Sequence, residues 1–455
     1  MEVIKNSRIR TIFYLLATGL LLCFWGFYNK YPLVFPDTGT YLLSGFTNVV
    51  PKDRPLIYGL FLRHASLAET LWLVIWVQGI LVSILVFYYF KYLSPTRKFL
   101  PLFFIYIFLI TFFTGASVNV SQLIPDVFTP MSVLSMGLLI FVKELKIRDL
   151  IIVSALLVLS TSVHTSHVLS MTMFTVLLSV GFLFKKVRSF FPFLKYQRII
   201  LIWALIIFTY LSVSTIHYGF SGEFTLSKGK HVFLMGRLID MEIVNDYLKE
   251  NCDDHDYKLC EFKDIVIWDF LWESQSPLYK TGGWEDSKEE YTTIIRDIFT
   301  TPKYLKIFMM KSIESSFIQF FNYETGDTPR QAQNSAPYGV ITRFMPGQVK
   351  AYLSSKQCND RLDFTFLNNY QNYLIVLSLL ISILLLILKI PVKSKMLIIY
   401  ILVSLYINAG VCGTFSGISP RYQSRVIWLL PLPIILTLAN KHTFKMLLGK
   451  KDMPE

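Results

Sequence analysis

At 455 residues, 53% hydrophobic and only 16% charged, this chain carries too little charge for an ordinary soluble domain. Its formal net charge of +13 suggests a nucleic-acid binder. That reading is excluded because the surplus positive charge lies in short connections between long apolar blocks.

The apolar blocks predict an all-α polytopic membrane protein with ten spans: 11–28, 68–90, 99–116, 127–142, 150–164, 167–184, 199–216, 371–388, 396–412 and 424–440. Lys5, Arg8 and Arg10 precede the first span. A connecting segment, 29–67, follows it, and its apolar second half predicts a short interfacial helix with Arg63 and His64 reaching for headgroups. Lys91, Arg97 and Lys98 follow the second span, and Lys143, Lys146 and Arg148 the fourth. Lys185, Lys186, Arg188, Lys195 and Arg198 follow the sixth, and Lys389, Lys393 and Lys395 the eighth. Lys441, Lys445, Lys450 and Lys451 lie in the tail. Every second connection is therefore basic, which places those connections and both termini in the cytoplasm. These inward segments hold 21 basic and 5 acidic residues. The long outward segment 217–370 holds 17 basic and 22 acidic residues, so the basic surplus is a topology signal.

Three modules follow: a seven-span membrane module at 1–216, a mainly helical outward, periplasmic domain at 217–370, and a three-span module with a cytoplasmic tail at 371–455. Within the outward domain, 231–250 and 287–322 have helical periodicity, the latter interrupted at Pro302. Ser276-Pro277 and Gly282-Gly283-Trp284 mark loops, and 323–349 reads as a mobile loop near the membrane. Lys228, Lys230, His231 and Arg237 read as a solvated face. Cys23 and Cys412 fall in spans as apolar filler. Cys252, Cys260 and Cys358 face outward, where disulfides form, and Cys252 with Cys260 is the nearest pair. No cysteine spacing suggests zinc.

Ionisable groups gather at the outward ends of the spans, where charge needs a cavity or a partner. They are Asp37 in Phe35-Pro36-Asp37-Thr38-Gly39, Asp53 and Arg54, Asp126 in Ile124-Pro125-Asp126-Val127, His164 and His167, and Arg421-Tyr422 with Arg425. A carboxylate can take a proton from an acceptor nucleophile, and arginines can neutralise a phosphate leaving group. Each group also has a plainer reading. Asp37 and Asp126 could cap helices, Asp53 and Arg54 could form a surface pair, the histidines could bond at a helix turn, and Arg421 and Arg425 could anchor headgroups.

At these residues the chain resembles the GT-C superfamily of integral-membrane glycosyltransferases, nearest in likeness to protein mannosyltransferases and lipid A aminoarabinose transferases. The resemblance covers mainly residues 1–216. Asp37 matches by position the catalytic carboxylate of the first outward loop, and Arg54-Pro55-Leu56-Ile57-Tyr58 resembles an Arg-Pro-Pro-x-Tyr stretch. Leu56 stands where the second proline is usual. Asp126 matches an acidic residue before the fourth span, and Arg421-Tyr422 an Arg-Tyr pair before a late span. The resemblance implies an inner-membrane enzyme that moves a sugar from a polyprenyl-phosphate donor to a periplasmic glycan, lipid or protein. Asp37 would be the general base and Arg421 the phosphate clamp. Asp126 would be a substrate or metal contact, with Asp53, Arg54, Tyr422, Arg425, His164 and His167 also lining the donor site. The resemblance leaves room for a divalent metal but fixes no cofactor, because an adjacent acidic pair at the first-loop site is missing. Two other functions share these features: a polysaccharide polymerase or ligase using diphosphate-linked oligosaccharide, and a transporter or flippase.

Overall fold

The computed structural model describes residues 2–96, 98–262, 270–327 and 331–440, with side chains from Arg8 onward. Arg97, Lys441, Lys445, Lys450, Lys451 and the side chain of Lys5 lie outside the described residues. Among the described residues the regular structure is helical, and the only β-type pairing is an isolated bridge between Leu33 and Gln122.

The first part contains α1 (Glu2–Leu21), α2 (Phe24–Asn29), α3 (Pro36–Thr47), α4 (Ile57–Ala65), α5 (Leu71–Leu93), α6 (Leu100–Phe113), α7 (Ala116–Ser121), α8 (Phe128–Phe141), α9 (Ile147–Ser162), α10 (Thr165–Leu183), α11 (Lys185–Phe190) and α12 (Tyr196–Ser221). The 217–370 segment adds α13 (Lys230–Asp240), α14 (Ile243–Asn251), α15 (Pro277–Lys280), α16 (Gly283–Asp286), α17 (Lys288–Thr300), α18 (Pro302–Phe321), α19 (Ala336–Phe344) and α20 (Val349–Leu353). The last part contains α21 (Thr365–Ile387), α22 (Val392–Phe415), α23 (Pro420–Ile427) and α24 (Pro431–Leu438).

Among the described residues, five helices are long and apolar enough to cross a membrane: α5, α10, α12, α21 and α22. The other five expected spans fall on shorter or broken helices. The first divides between α1 and α2 at Leu22–Cys23, and the last divides where Pro431 restarts the chain as α24. Helices α6 and α8 have 14 residues each, about 21 Å at 1.5 Å per residue. Helix α9 has 16 residues. Its first turn is pinned to α5 by the fully buried Asp149, which accepts from Lys91 Nζ and the Tyr92 hydroxyl, both at 2.5 Å.

The 217–370 segment has its own apolar core, built from α13, α14 and α17, with Val232, Met235, Leu238, Ile294 and Ile298 fully buried. The expected helix at 231–250 is two helices, divided at Met241–Glu242, where Glu242 takes a left-handed conformation. Pro302 divides 287–322 as expected, because it opens α18 where its missing N–H costs nothing. The segments read as loops at 277 and 283 open the one-turn helices α15 and α16. Within 323–349, read as a loop, α19 packs on α3 so closely that a Cβ on Gly39 would lie 2.8 Å from the Ala336 carbonyl carbon. Cys252 and Cys260 form a disulfide. Cys358 is a buried thiol beside the Gln331 carbonyl.

Candidate active site

Three residues at the centre share one local design. Asp37, Asp126 and Arg421 each follow a proline that opens a helical turn, at Pro36, Pro125 and Pro420. The fixed φ of proline suits the first helical position, so the next side chain leaves each helix at a defined angle. The two aspartates sit where the helix dipole favours negative charge. Arg421 sits where the dipole opposes it, and its carboxylate partners offset that repulsion.

The backbone brings these turns together. Leu33 N–H donates to Ser121 O at 2.8 Å, and Leu123 N–H donates back to Leu33 O at 2.9 Å. The Thr38 hydroxyl donates to Leu123 O at 3.0 Å and accepts from Phe35 N–H at 2.9 Å. Thr38 therefore serves the start of α3, and the Asp37 carboxylate is not its cap. Helices α3 and α4 cross at Gly45 and Gly59, where a Cβ on Gly45 would lie 2.1 Å from Gly59 O. Just before α4, Leu56 N–H donates to His217 Nε2 at 3.1 Å, which fixes the stretch carrying Arg54.

The result is one charge network of three carboxylates and three guanidiniums. Arg54 Nη2 lies 3.1 Å from Asp37 Oδ1, and Arg54 Nε lies 2.7 Å from Asp53 Oδ2. Arg421 bridges the two main carboxylates, with Nη1 3.8 Å from Asp37 Oδ2 and Nε 3.4 Å from Asp126 Oδ2. Arg425 Nη1 donates to Asp126 Oδ1 at 2.8 Å. Arg54 packs over Tyr41 at 4.8 Å, and Arg421 over Phe35 at 4.2 Å. Tyr422 has both Arg421 and Arg425 at 5.3 Å from its ring. Burial alone would lower the Arg54 guanidinium, but Tyr41, Asp37 and Asp53 outweigh it and hold it above its ordinary value. Asp126, Tyr422 and Asp37 do the same for Arg421 against its burial. Both arginines therefore stay charged.

The members differ in access. The Asp37 side chain is 27% exposed, against 5% for Asp126 and 2% for Arg425. Arg421 Nε and Nη1 and Arg54 Nη1 are buried and make no hydrogen bond among the described residues. Such donors suit an anion with acceptor oxygens on several sides. Beside Arg421 is a small cavity lined by Asn119, Gln122, Thr325, Asp327 and Ser424.

His164 and His167 stand next to this network and bond elsewhere. His164 Nδ1 lies 2.8 Å from the Ser166 hydroxyl and accepts from Ser166 N–H at the start of α10. His167 is fully buried between Thr129 Oγ1 at 2.6 Å and Ser160 O at 2.8 Å. No group of three metal-ligating side chains occurs among the described residues.

Sequence reasoning missed Asn408 and misread Cys412. Arg425 Nη2 lies 3.1 Å from Asn408 Oδ1 and 3.2 Å from Cys412 Sγ, so Cys412 is a ligand of the arginine rather than apolar filler. The signal was a pair of polarisable groups four residues apart on one face of an apolar helix. Arg237 is 5% exposed, not on a solvated face, and donates to Ser315 Oγ and Gly413 O at 2.8 and 2.6 Å. No protein-family model, curated protein or solved structure matches this chain.

Proposed function

We propose that this chain is an inner-membrane glycosyltransferase of GT-C type, transferring a sugar from a polyprenyl-phosphate donor to an acceptor on the periplasmic side. The observation that carries the reading is one partly exposed carboxylate, Asp37, held against buried arginines that have N–H donors to spare. Asp37 takes the proton from the acceptor nucleophile as it attacks the sugar's anomeric carbon, and the bond to the phosphate oxygen breaks. Arg421 and Arg54 take up the phosphate charge released in that step. Asp126 serves as the counter-ion that keeps Arg421 and Arg425 in place, a narrower role than the substrate or metal contact expected from the sequence.

A cleft of about 700 Å³ between α9 and α12 supports a lipid-linked donor. Leu150, Val158, Leu201, Leu205 and Phe208 line it, together with Ile57, which is three residues along the chain from Arg54. Its walls suit a prenyl chain leading to the arginines. In this topology both termini and the basic connections are cytoplasmic, and 217–370 is periplasmic, as the charge alternation requires.

The test uses purified protein in liposomes, offered sugars on monophosphate and on diphosphate polyprenyl carriers. Transfer from the monophosphate donor is the expected result. Transfer only from the diphosphate donor would make it a polymerase or ligase. Cargo crossing the bilayer without donor turnover would make it a transporter.

A further inference from the structure

We propose that α18 is a re-entrant amphipathic helix whose open face is covered by lipid acyl chains, on the side of the bilayer where the 217–370 segment lies. The inference does not depend on the glycosyltransferase reading. Helix α18 belongs by sequence to the 217–370 segment, yet it lies antiparallel along α22, one of the helices able to cross a membrane. Phe308 meets Phe415 at the end of α22, with ring centres 6.4 Å apart. Phe320 meets Tyr406 at 6.1 Å. Tyr406 is about 14 Å further down α22 than Phe415, at 1.5 Å per residue. From Lys395 to Phe415, α22 rises about 30 Å, the thickness of the hydrocarbon layer. Helix α18 therefore runs beside the C-terminal part of α22, with its tip level with Ser419 and, through Tyr323 O and Gln371 Nε2, with the first turns of α21.

The contact between the two helices has the chemistry of packing inside a membrane. A Cβ on Gly413 would lie 2.8 Å from Ser315 O, and one on Gly410 would lie 3.6 Å from Ser316 Oγ. Small residues let backbones approach where no water drives association. The opposite face of α18 is open and apolar. Met310, Ile313, Phe317 and Phe321 are 61%, 65%, 61% and 53% exposed. On a solvated helix this stripe would be a large cost; against lipid it is not. The exposed Lys303 and Lys306 stand at the end nearest Phe415, where headgroups would lie. Glu314 is the single acid on the helix, and Lys311 stands one turn before it on the same helix.

This placement matters for the site. At the tip of α18, Gln319 Oε1 accepts from Ser419 N–H at 2.8 Å, and Gln319 Nε2 donates to Ser419 O at 2.9 Å. Ser419 leads into Pro420 and Arg421. The segment bearing Arg421 thus hangs from a helix held in lipid.

The experiment attaches a nitroxide to single cysteines at Lys303, Met310, Phe317 and Phe321 in the full chain. The protein is reconstituted in phosphatidylethanolamine–phosphatidylglycerol nanodiscs, and collision rates with oxygen and with a water-soluble nickel complex are measured. The parent protein taken through the same labelling supplies the blank for the native cysteines. The expected result is a several-fold higher oxygen-to-nickel ratio at Phe317 and Phe321 than at Lys303, with Met310 between. Nickel access at Phe317 and Phe321 equal to that at Lys303 would overturn the proposal in favour of a solvated helix. Low collision with both reagents would overturn it in favour of a protein partner. Monodisperse elution and an intact Cys252–Cys260 disulfide in each variant exclude misfolding as the cause.

Discussion

Replacing Asp126 by asparagine removes the main counter-ion of Arg425 without changing side-chain size. Arg425 is 2% exposed and Asp126 5%, so water cannot screen the charge left behind. Breaking a buried pair in this way costs about 3–5 kcal/mol. Asn408 Oδ1 and Cys412 Sγ still accept from Arg425, which favours the lower end, about 3 kcal/mol. Asp37→Asn provides the comparison, because its carboxylate is 27% exposed and its pair with Arg54 should contribute at most about 1 kcal/mol. The measurement is reversible unfolding of detergent-purified protein, followed by helical circular dichroism. The difference of about 2 kcal/mol between the variants corresponds to roughly thirtyfold in the folding equilibrium. Asp126→Asn/Arg425→Gln should lose less than the sum of the single changes, since both remove one interaction. Asp126→Asn as stable as Asp37→Asn would refute the counter-ion role.

Arg421→Ala should weaken donor binding and Arg421→Lys restore only part of it, because an ammonium cannot reproduce the planar fork; unchanged donor affinity in both would leave Arg421 structural. An impermeant maleimide should reach cysteines introduced in 217–370 in intact cells, and those in 185–198 only after lysis, as the charge alternation requires. Labelling of 185–198 in intact cells would sink the proposed topology. Non-reducing peptide mapping should recover Cys252 linked to Cys260, and recovery of both as thiols would contradict the structure.

Much of the site was legible because its residues announce themselves locally. A proline followed by a charge, at Pro36-Asp37, Pro125-Asp126 and Pro420-Arg421, marks a helix start with an ionisable side chain beside apolar sequence. That these turns meet depends on pairings distant in sequence, such as Leu33 with Ser121 and Leu123, which no local pattern records. Asn408 and Cys412 were hidden because each is unremarkable in an apolar helix until Arg425 arrives. The placement of α18 was hidden by Lys306, Lys311 and Glu314, which dilute its apolar stripe and make it read as part of a solvated domain. The ten apolar blocks were read as unbroken spans. The breaks at Leu22–Cys23 and before Pro431 leave the first and last blocks as pairs of short helices.

The proposed role of Asp37 as general base can be measured through the turnover of Asp37→Asn in liposomes with a polyprenyl-monophosphate sugar. Thr38 serves the start of α3, so asparagine at 37 should leave expression, insertion and stability near wild type. Turnover should fall by roughly 10²–10⁴-fold, the range expected for losing a general base. Asp37→Glu should keep a little activity, limited by its longer reach. An Asp37→Asn protein that turns over at the wild-type rate would contradict the catalytic role and remove the main support for a glycosyltransferase.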